Sequence, residues 1–164
     1  MNMTGDTPLT IYRDVVRPEW VDYNGHLRDA FYLLIFSFAT DALLERIGLD
    51  DAARRERGRS VYTLEAHVNY LQEIKEGTRV RVDARVFAHD AKRLHLYLEL
   101  FADGHDGAVS ASEQMLLHVD TRGGAKSAPF DDDVAARVAE LHALQRDCAA
   151  PAYAGRVIGL PPRR

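Results

Sequence analysis

Cysteine is almost missing from this chain: among 164 residues Cys148 stands alone, so no internal disulfide can form. No CxxC pair or His/Cys cluster is present, and no metal is expected. Long apolar runs are missing as well. The longest, residues 30 to 39, is about half of the ~20 residues a bilayer-spanning helix needs, so no membrane partner is expected. Positive charge is not in excess either; a net charge of −4 gives no general attraction to nucleic acid or to an anionic membrane. Residues 1–10 have neither a basic start nor an apolar run, which argues against a signal peptide and makes a cytoplasmic protein the expectation. The chain also lacks a glycine-rich phosphate loop, an internal repeat and any low-complexity segment.

What is present suits one folded domain. At 46% hydrophobic the chain can bury a core of good size. Residues 1–8 read as a flexible N-terminus, 9–147 as a single domain, and 148–164 as an irregular tail rich in Gly and Pro. Residues 30–39 are apolar on nearly every face and continue to Ile47 with more polar positions. A helix of that kind must be buried on most sides. Gly48 is a stop, and residues 50–59, with charges of both signs, read as a solvated loop or short surface helix.

From residue 60 the period becomes two. Val80, Val82, Ala84 and Val86 alternate with Arg79, Arg81, Asp83 and Arg85, and Leu94, Leu96, Leu98 and Leu100 alternate with His95, Tyr97, Glu99 and Phe101. The linker His89–Arg93 is short enough for a hairpin. Further strands are expected at about 9–17, 60–72 and 108–120, and a helix over 131–146 with Val134, Val138, Leu141 and Leu144 on one face. The pattern predicts an α+β fold in which an antiparallel β-sheet wraps around a long central α-helix. Such a sheet leaves edge strands open, so a homodimer or homotetramer is expected.

Trp20-Val21-Asp22-Tyr23-Asn24-Gly25-His26 runs straight into the apolar helix. It sets an acid, a turn signal and a helix start close together. Asp22 reads either as a cap or as the centre of a site.

Asp22, Gly25 at +3, His26 at +4 and Tyr32 at +10 resemble the hotdog-fold acyl-CoA thioesterases related to 4-hydroxybenzoyl-CoA thioesterase. The resemblance covers roughly residues 10–146. The narrower pattern in residues 17–26, 61–67 and 90–95 is similar to thioesterases encoded with, or fused to, L-carnitine dehydrogenase and assigned to betainyl-CoA hydrolysis.

The resemblance implies that Asp22 attacks the thioester carbonyl or activates the water that does, while a main-chain N–H at the helix N-terminus, at Asp29 or a neighbour, polarises the carbonyl oxygen. The commoner family pattern has Asn at positions 28 and 29, where this chain has Arg28 and Asp29. A second carboxylate there opposes charge on the thioester oxygen unless Arg28 or solvent compensates it. His26 either orients Asp22 or satisfies itself on main-chain carbonyls.

By alternation Glu65 and His67 share one strand face with Thr63, as substrate contacts or proton-transfer groups, or as a solvated face. Lys92 and Arg93 sit in the hairpin, where the resembling enzymes place basic residues against the nucleotide phosphates of coenzyme A. A betainyl group is a quaternary ammonium best held by aromatic faces. Trp20, Tyr23, Tyr62 and Tyr70 are candidates for that cage with Glu65 as counter-charge; Asn24 sits among them, and Tyr32 is a core residue lining the acyl pocket. No separate cofactor is expected, since coenzyme A is part of the substrate. Two other readings remain: an acyl-CoA hydratase or dehydratase, and a non-catalytic acyl-CoA-binding module, although no helix-turn-helix or basic stretch precedes residue 10.

Overall fold

The computed structural model describes residues 9–160 and Pro162; the flexible segment expected over residues 1–8 lies outside the described residues. The chain forms β1 (Leu9–Val15), a short 3-10 turn (Pro18–Trp20), α1 (Asp29–Arg46), α2 (Asp51–Arg57), β2 (Arg59–Tyr70), β3 (Arg79–His89), β4 (Arg93–Ala102), β5 (Ala108–Asp120), β6 (Lys126–Ser127) and α3 (Asp132–Leu144). The strands make one antiparallel sheet in the order β1-β3-β4-β5-β2, with β6 on β5. α1 packs against it, which is the hotdog arrangement anticipated from the alternating strands.

α1 buries Tyr32, Ile35, Phe36, Ala39, Thr40 and Leu43, a row with helical spacing. Their neighbours are the inward side chains Val80, Val82, Leu98 and Leu100 at one end of the sheet; Leu43, Leu44 and Ile47 meet Val86, Leu94 and Leu96 at the other. Each such side chain contributes about 1.5–3 kcal/mol by leaving water. Burial is not all-round, however: Leu33 stays 42% exposed, and Phe31, Leu34 and Phe38 are only partly covered. The helix is therefore more apolar than one chain requires.

Several boundaries differ from the periodicity. α3 ends at Leu144, which is 63% exposed rather than on the buried face. The next turn of the buried row is taken by Gln145 instead. Its Oε1 accepts from the Val86 N–H (2.9 Å) and its Nε2 donates to the Ala84 carbonyl (2.8 Å), so it covers the stretch of β3 that β1 leaves unpaired. β2 carries a bulge between Thr63 and Glu65, which pair with Leu116 and Met115. The extra residue flips the alternation. Thr63 therefore faces the helix side with Leu116, and not the face of Glu65 and His67 as expected.

Beyond α3 the described residues cross the outer face of the sheet without forming a helix or strand. Arg85 donates to the Ala149 carbonyl, the Tyr153 N–H donates to the Tyr97 hydroxyl (3.3 Å), and the Gly155 N–H to Glu113 (2.6 Å).

Candidate active site

The segment before α1 is a small hairpin. Val21 and Leu27 form an antiparallel bridge, the Asp22 N–H donates to the His26 carbonyl (2.8 Å), and the Gly25 N–H to the Asp22 carbonyl (3.0 Å). This is a three-residue loop, Tyr23-Asn24-Gly25, whose last position needs a left-handed backbone; Gly25 supplies it with φ 76°. The loop is tied to the 71–76 segment through Leu27 N–H to the Ile74 carbonyl (2.8 Å) and Glu76 N–H to the Gly25 carbonyl (3.1 Å).

Asp22 closes this loop and does not cap the helix. Its Oδ1 accepts from the N–H groups of Asn24 (2.8 Å) and His26 (3.0 Å). The His26 N–H above all, then that of Asn24, holds the carboxyl below its ordinary pKa, with Arg28 adding to the effect. Oδ2 meets no donor among the described residues, so half of the carboxylate is pinned and half is open. The residue at the helix N-cap is Arg28, whose side chain makes no cap bond. It donates from Nε to the Val21 carbonyl instead (3.1 Å).

The helix start is correspondingly bare. Asp29 Oδ1 takes the Ala30 N–H (2.9 Å), while the Asp29 N–H itself meets no acceptor among the described residues. The Tyr70 hydroxyl donates to the Asp29 carbonyl (3.2 Å), and the Tyr32 hydroxyl to the Gln72 carbonyl (3.0 Å). The two rings meet edge to face at 5.3 Å. Burial first, then the Asp29 charge, pushes the Tyr70 phenol pKa up. His26 points its Nδ1 toward Glu73 at 3.6 Å rather than toward Asp22.

Asp22, Gly25, His26, Asp29, Tyr32 and Tyr70 thus gather at one end of α1, with Asn24 and the 93% exposed Tyr23 at the rim. Trp20 lies there too, but it is 4% exposed, stacked on Phe31 and covered by the Arg17 guanidinium at 4.6 Å. Buried and already in contact with both, the ring packs rather than forming a cage wall.

The remaining candidates are elsewhere. Tyr62 lies eight residues back along β2 from Tyr70, roughly 25 Å at the usual rise of an extended strand. Lys92 and Arg93 are at that far end as well, because Arg93 and Tyr62 both pair with Leu117. Arg93 is engaged with Asp90 (Nε to Oδ2, 2.7 Å) and Lys92 Nζ with Ser127 (3.2 Å). Glu65 and His67 face outward at the middle of β2, lining a cavity of about 340 Å³ with His95, Glu113 and the tail. Glu65 is therefore remote from the Tyr32–Tyr70 pair in the same chain and does not serve as its counter-charge. What periodicity could not reveal is the role of residues 72–76, which hold the loop and the Tyr32 hydroxyl through main-chain atoms and carry no residue pattern of their own.

Among the described residues no His, Cys, Asp or Glu side chains gather as a metal-binding group, and no helix is long and apolar enough to cross a membrane. Compared with known proteins, residues 16–138 match the thioesterase-like superfamily. The betainyl-CoA thioesterase of Pseudomonas aeruginosa is 55% identical over 156 residues, spanning 95% of this chain and 98% of that protein. A crystal structure from Pseudomonas putida KT2440 superposes with a TM-score of 0.83 at 51% identity, over 95% of this chain and 99% of the other. A hypothetical protein from Staphylococcus aureus, solved in complex with CoA, superposes with a TM-score of 0.89 at 28% identity, over 98% of this chain and 100% of the other.

Proposed function

Because the chain belongs to the thioesterase-like superfamily, we propose that it hydrolyses betainyl-CoA to glycine betaine and coenzyme A, with Asp22 at the reacting carbonyl. The observation that carries this reading is Asp22 itself, pinned through Oδ1 by two main-chain N–H groups and open at Oδ2 beside the bare start of α1. The Asp29 N–H receives the thioester oxygen as negative charge develops there. Water adds to the carbonyl carbon, the carbon–sulfur bond breaks, and the proton lost by water passes through Asp22 to the departing coenzyme A sulfur. Alternatively the carboxylate attacks first and water then opens the mixed anhydride. No separate cofactor takes part.

The second half of the site comes from another copy of the chain. β2 is an edge strand with Tyr62 and Leu64 exposed, and Tyr62, Lys92 and Arg93 lie at the end of the sheet away from Asp22. Antiparallel pairing of two β2 edges brings the far end of one chain toward the Asp22 end of the other. In that homodimer, or a homotetramer built from it, Lys92 and Arg93 of one copy serve the nucleotide phosphates of the ester held by its partner. A CoA-ester substrate suits a cytoplasmic setting.

Purified protein offered a panel of acyl-CoA esters, betainyl-CoA included, is expected to release free thiol, fastest from the betainyl ester. Absence of thiol release from every member refutes the hydrolase reading and leaves acyl-CoA binding and the hydratase or dehydratase reading.

A further inference from the structure

Asp29 is an awkward residue for the hydrolysis of a neutral acyl group. Its N–H is the donor offered to the thioester oxygen, yet its own carboxylate lies within the same residue and opposes negative charge on that oxygen. Among the described residues no cation pairs with it. Arg28 turns its Nε to the Val21 carbonyl, and the Asp29 carboxylate accepts only the Ala30 N–H on Oδ1, with no donor at Oδ2 among the described residues. Beside it stands Tyr70, half exposed, with its hydroxyl tied to the Asp29 carbonyl and its ring braced against Tyr32. The Asp29 charge is close enough to push the Tyr70 phenol upward. Carboxylate and aromatic ring therefore flank one spot at the helix start.

We propose that Asp29, with the Tyr70 ring, is the specificity determinant for a cationic acyl group, binding a quaternary ammonium that sits one methylene from the thioester carbonyl. A trimethylammonium offers no hydrogen-bond donor, so it is recognised by charge and by a ring face, the two groups present here. The same cation offsets the Asp29 carboxylate when negative charge appears on the thioester oxygen. The misplaced carboxylate of a neutral-substrate enzyme becomes half of an ion pair, and a neutral acyl group is disfavoured by the same charge. This assignment rests on the hydrolase reading above, and it names the group that selects the substrate.

The test compares betainyl-CoA with tert-butylacetyl-CoA, in which a carbon replaces the charged nitrogen at the same size. Asp29→Asn keeps the main-chain N–H and is expected to lower kcat/KM for betainyl-CoA by about 10- to 100-fold, the range for losing one partly solvated charge pair, and to raise kcat/KM for the neutral ester, whose oxyanion no carboxylate then opposes. In the wild-type enzyme KM for betainyl-CoA should also rise with salt more steeply than KM for the neutral ester, and in Asp29→Asn the two should rise alike, since only the coenzyme A phosphates they share remain to be screened. Equal effects of the substitution on both esters overturn the assignment while leaving the hydrolase reading intact. A wild-type enzyme that cleaves neither ester overturns the hydrolase reading and this inference with it.

Discussion

Asp22→Asn separates two roles that one carboxylate holds. Oδ1 is an acceptor for the Asn24 and His26 N–H groups at 2.8 and 3.0 Å, and an amide oxygen at the same position accepts both. The loop should therefore survive, with its Gly25 turn and its main-chain bonds to residues 74–76 untouched. What disappears is the negative charge and the open Oδ2. Removal of a general base lowers kcat by about 10²–10⁴-fold. The hydrogen bonds that hold the Asp22 pKa down also make it a weaker base, which places the expected loss near 10²-fold when the carboxylate only accepts a proton. A loss well beyond about 10⁴-fold marks direct attack by the carboxylate. Mass spectrometry after turnover in isotopically heavy water adds a one-way check: label in the Asp22 side chain, which enters when water opens the anhydride at the aspartyl carbonyl, marks direct attack. Steady-state thiol release with betainyl-CoA, alongside thermal melting of both proteins, is the measurement. Near-wild-type kcat with an unchanged melting temperature would return Asp22 to the role of loop closure alone.

Three further outcomes follow from the geometry. Tyr70→Leu removes the exposed ring beside Asp29 and should weaken betainyl-CoA relative to its neutral isostere by about 2- to 30-fold, the range of a cation–π contact; equal losses on the two esters would make Tyr70 a packing residue. Gln145→Leu strands the buried Val86 N–H and Ala84 carbonyl, at about 1–3 kcal/mol each, so Tm should fall by about 4–20 °C with kcat per folded molecule preserved; an unchanged Tm would mean that solvent reaches the β3 edge. The Arg93 side chain holds the Asp90 pKa at about 2, below its ordinary 3.8, so the ion pair stabilises the fold above that ordinary value and the contribution is lost as pH falls from about 4 to about 2. The Tm difference between wild type and Asp90→Asn should accordingly hold steady from about pH 7 to pH 5 and close below about pH 4; a difference that closes nearer neutrality would point to a different partner.

Features written in local chemistry were legible in the residues. The period-two runs became β3 and β4, the apolar run became α1, Asn24-Gly25 became a turn, and the thioesterase-like pattern around Asp22 led to the family that residues 16–138 match. Features that depend on what lies across the sheet were not. The Thr63 bulge is invisible to alternation because one inserted residue leaves composition unchanged and reverses facing. Trp20 reads as a cage aromatic until its burial against Arg17 and Phe31 is seen. Tyr62 reads as part of the acyl cage because motifs carry no distances, whereas β2 joins the sheet beyond β5 and puts Tyr62, with Lys92 and Arg93, at the end opposite Asp22. That separation has a physical consequence. Leu33 on α1 and Leu64 on β2 remain exposed in a single chain, and Lys92 and Arg93 stand at the sheet end away from Asp22. The exposed apolar helix face and the separation of these basic residues from Asp22 are independent observations, and the β2-paired homodimer proposed above accounts for both.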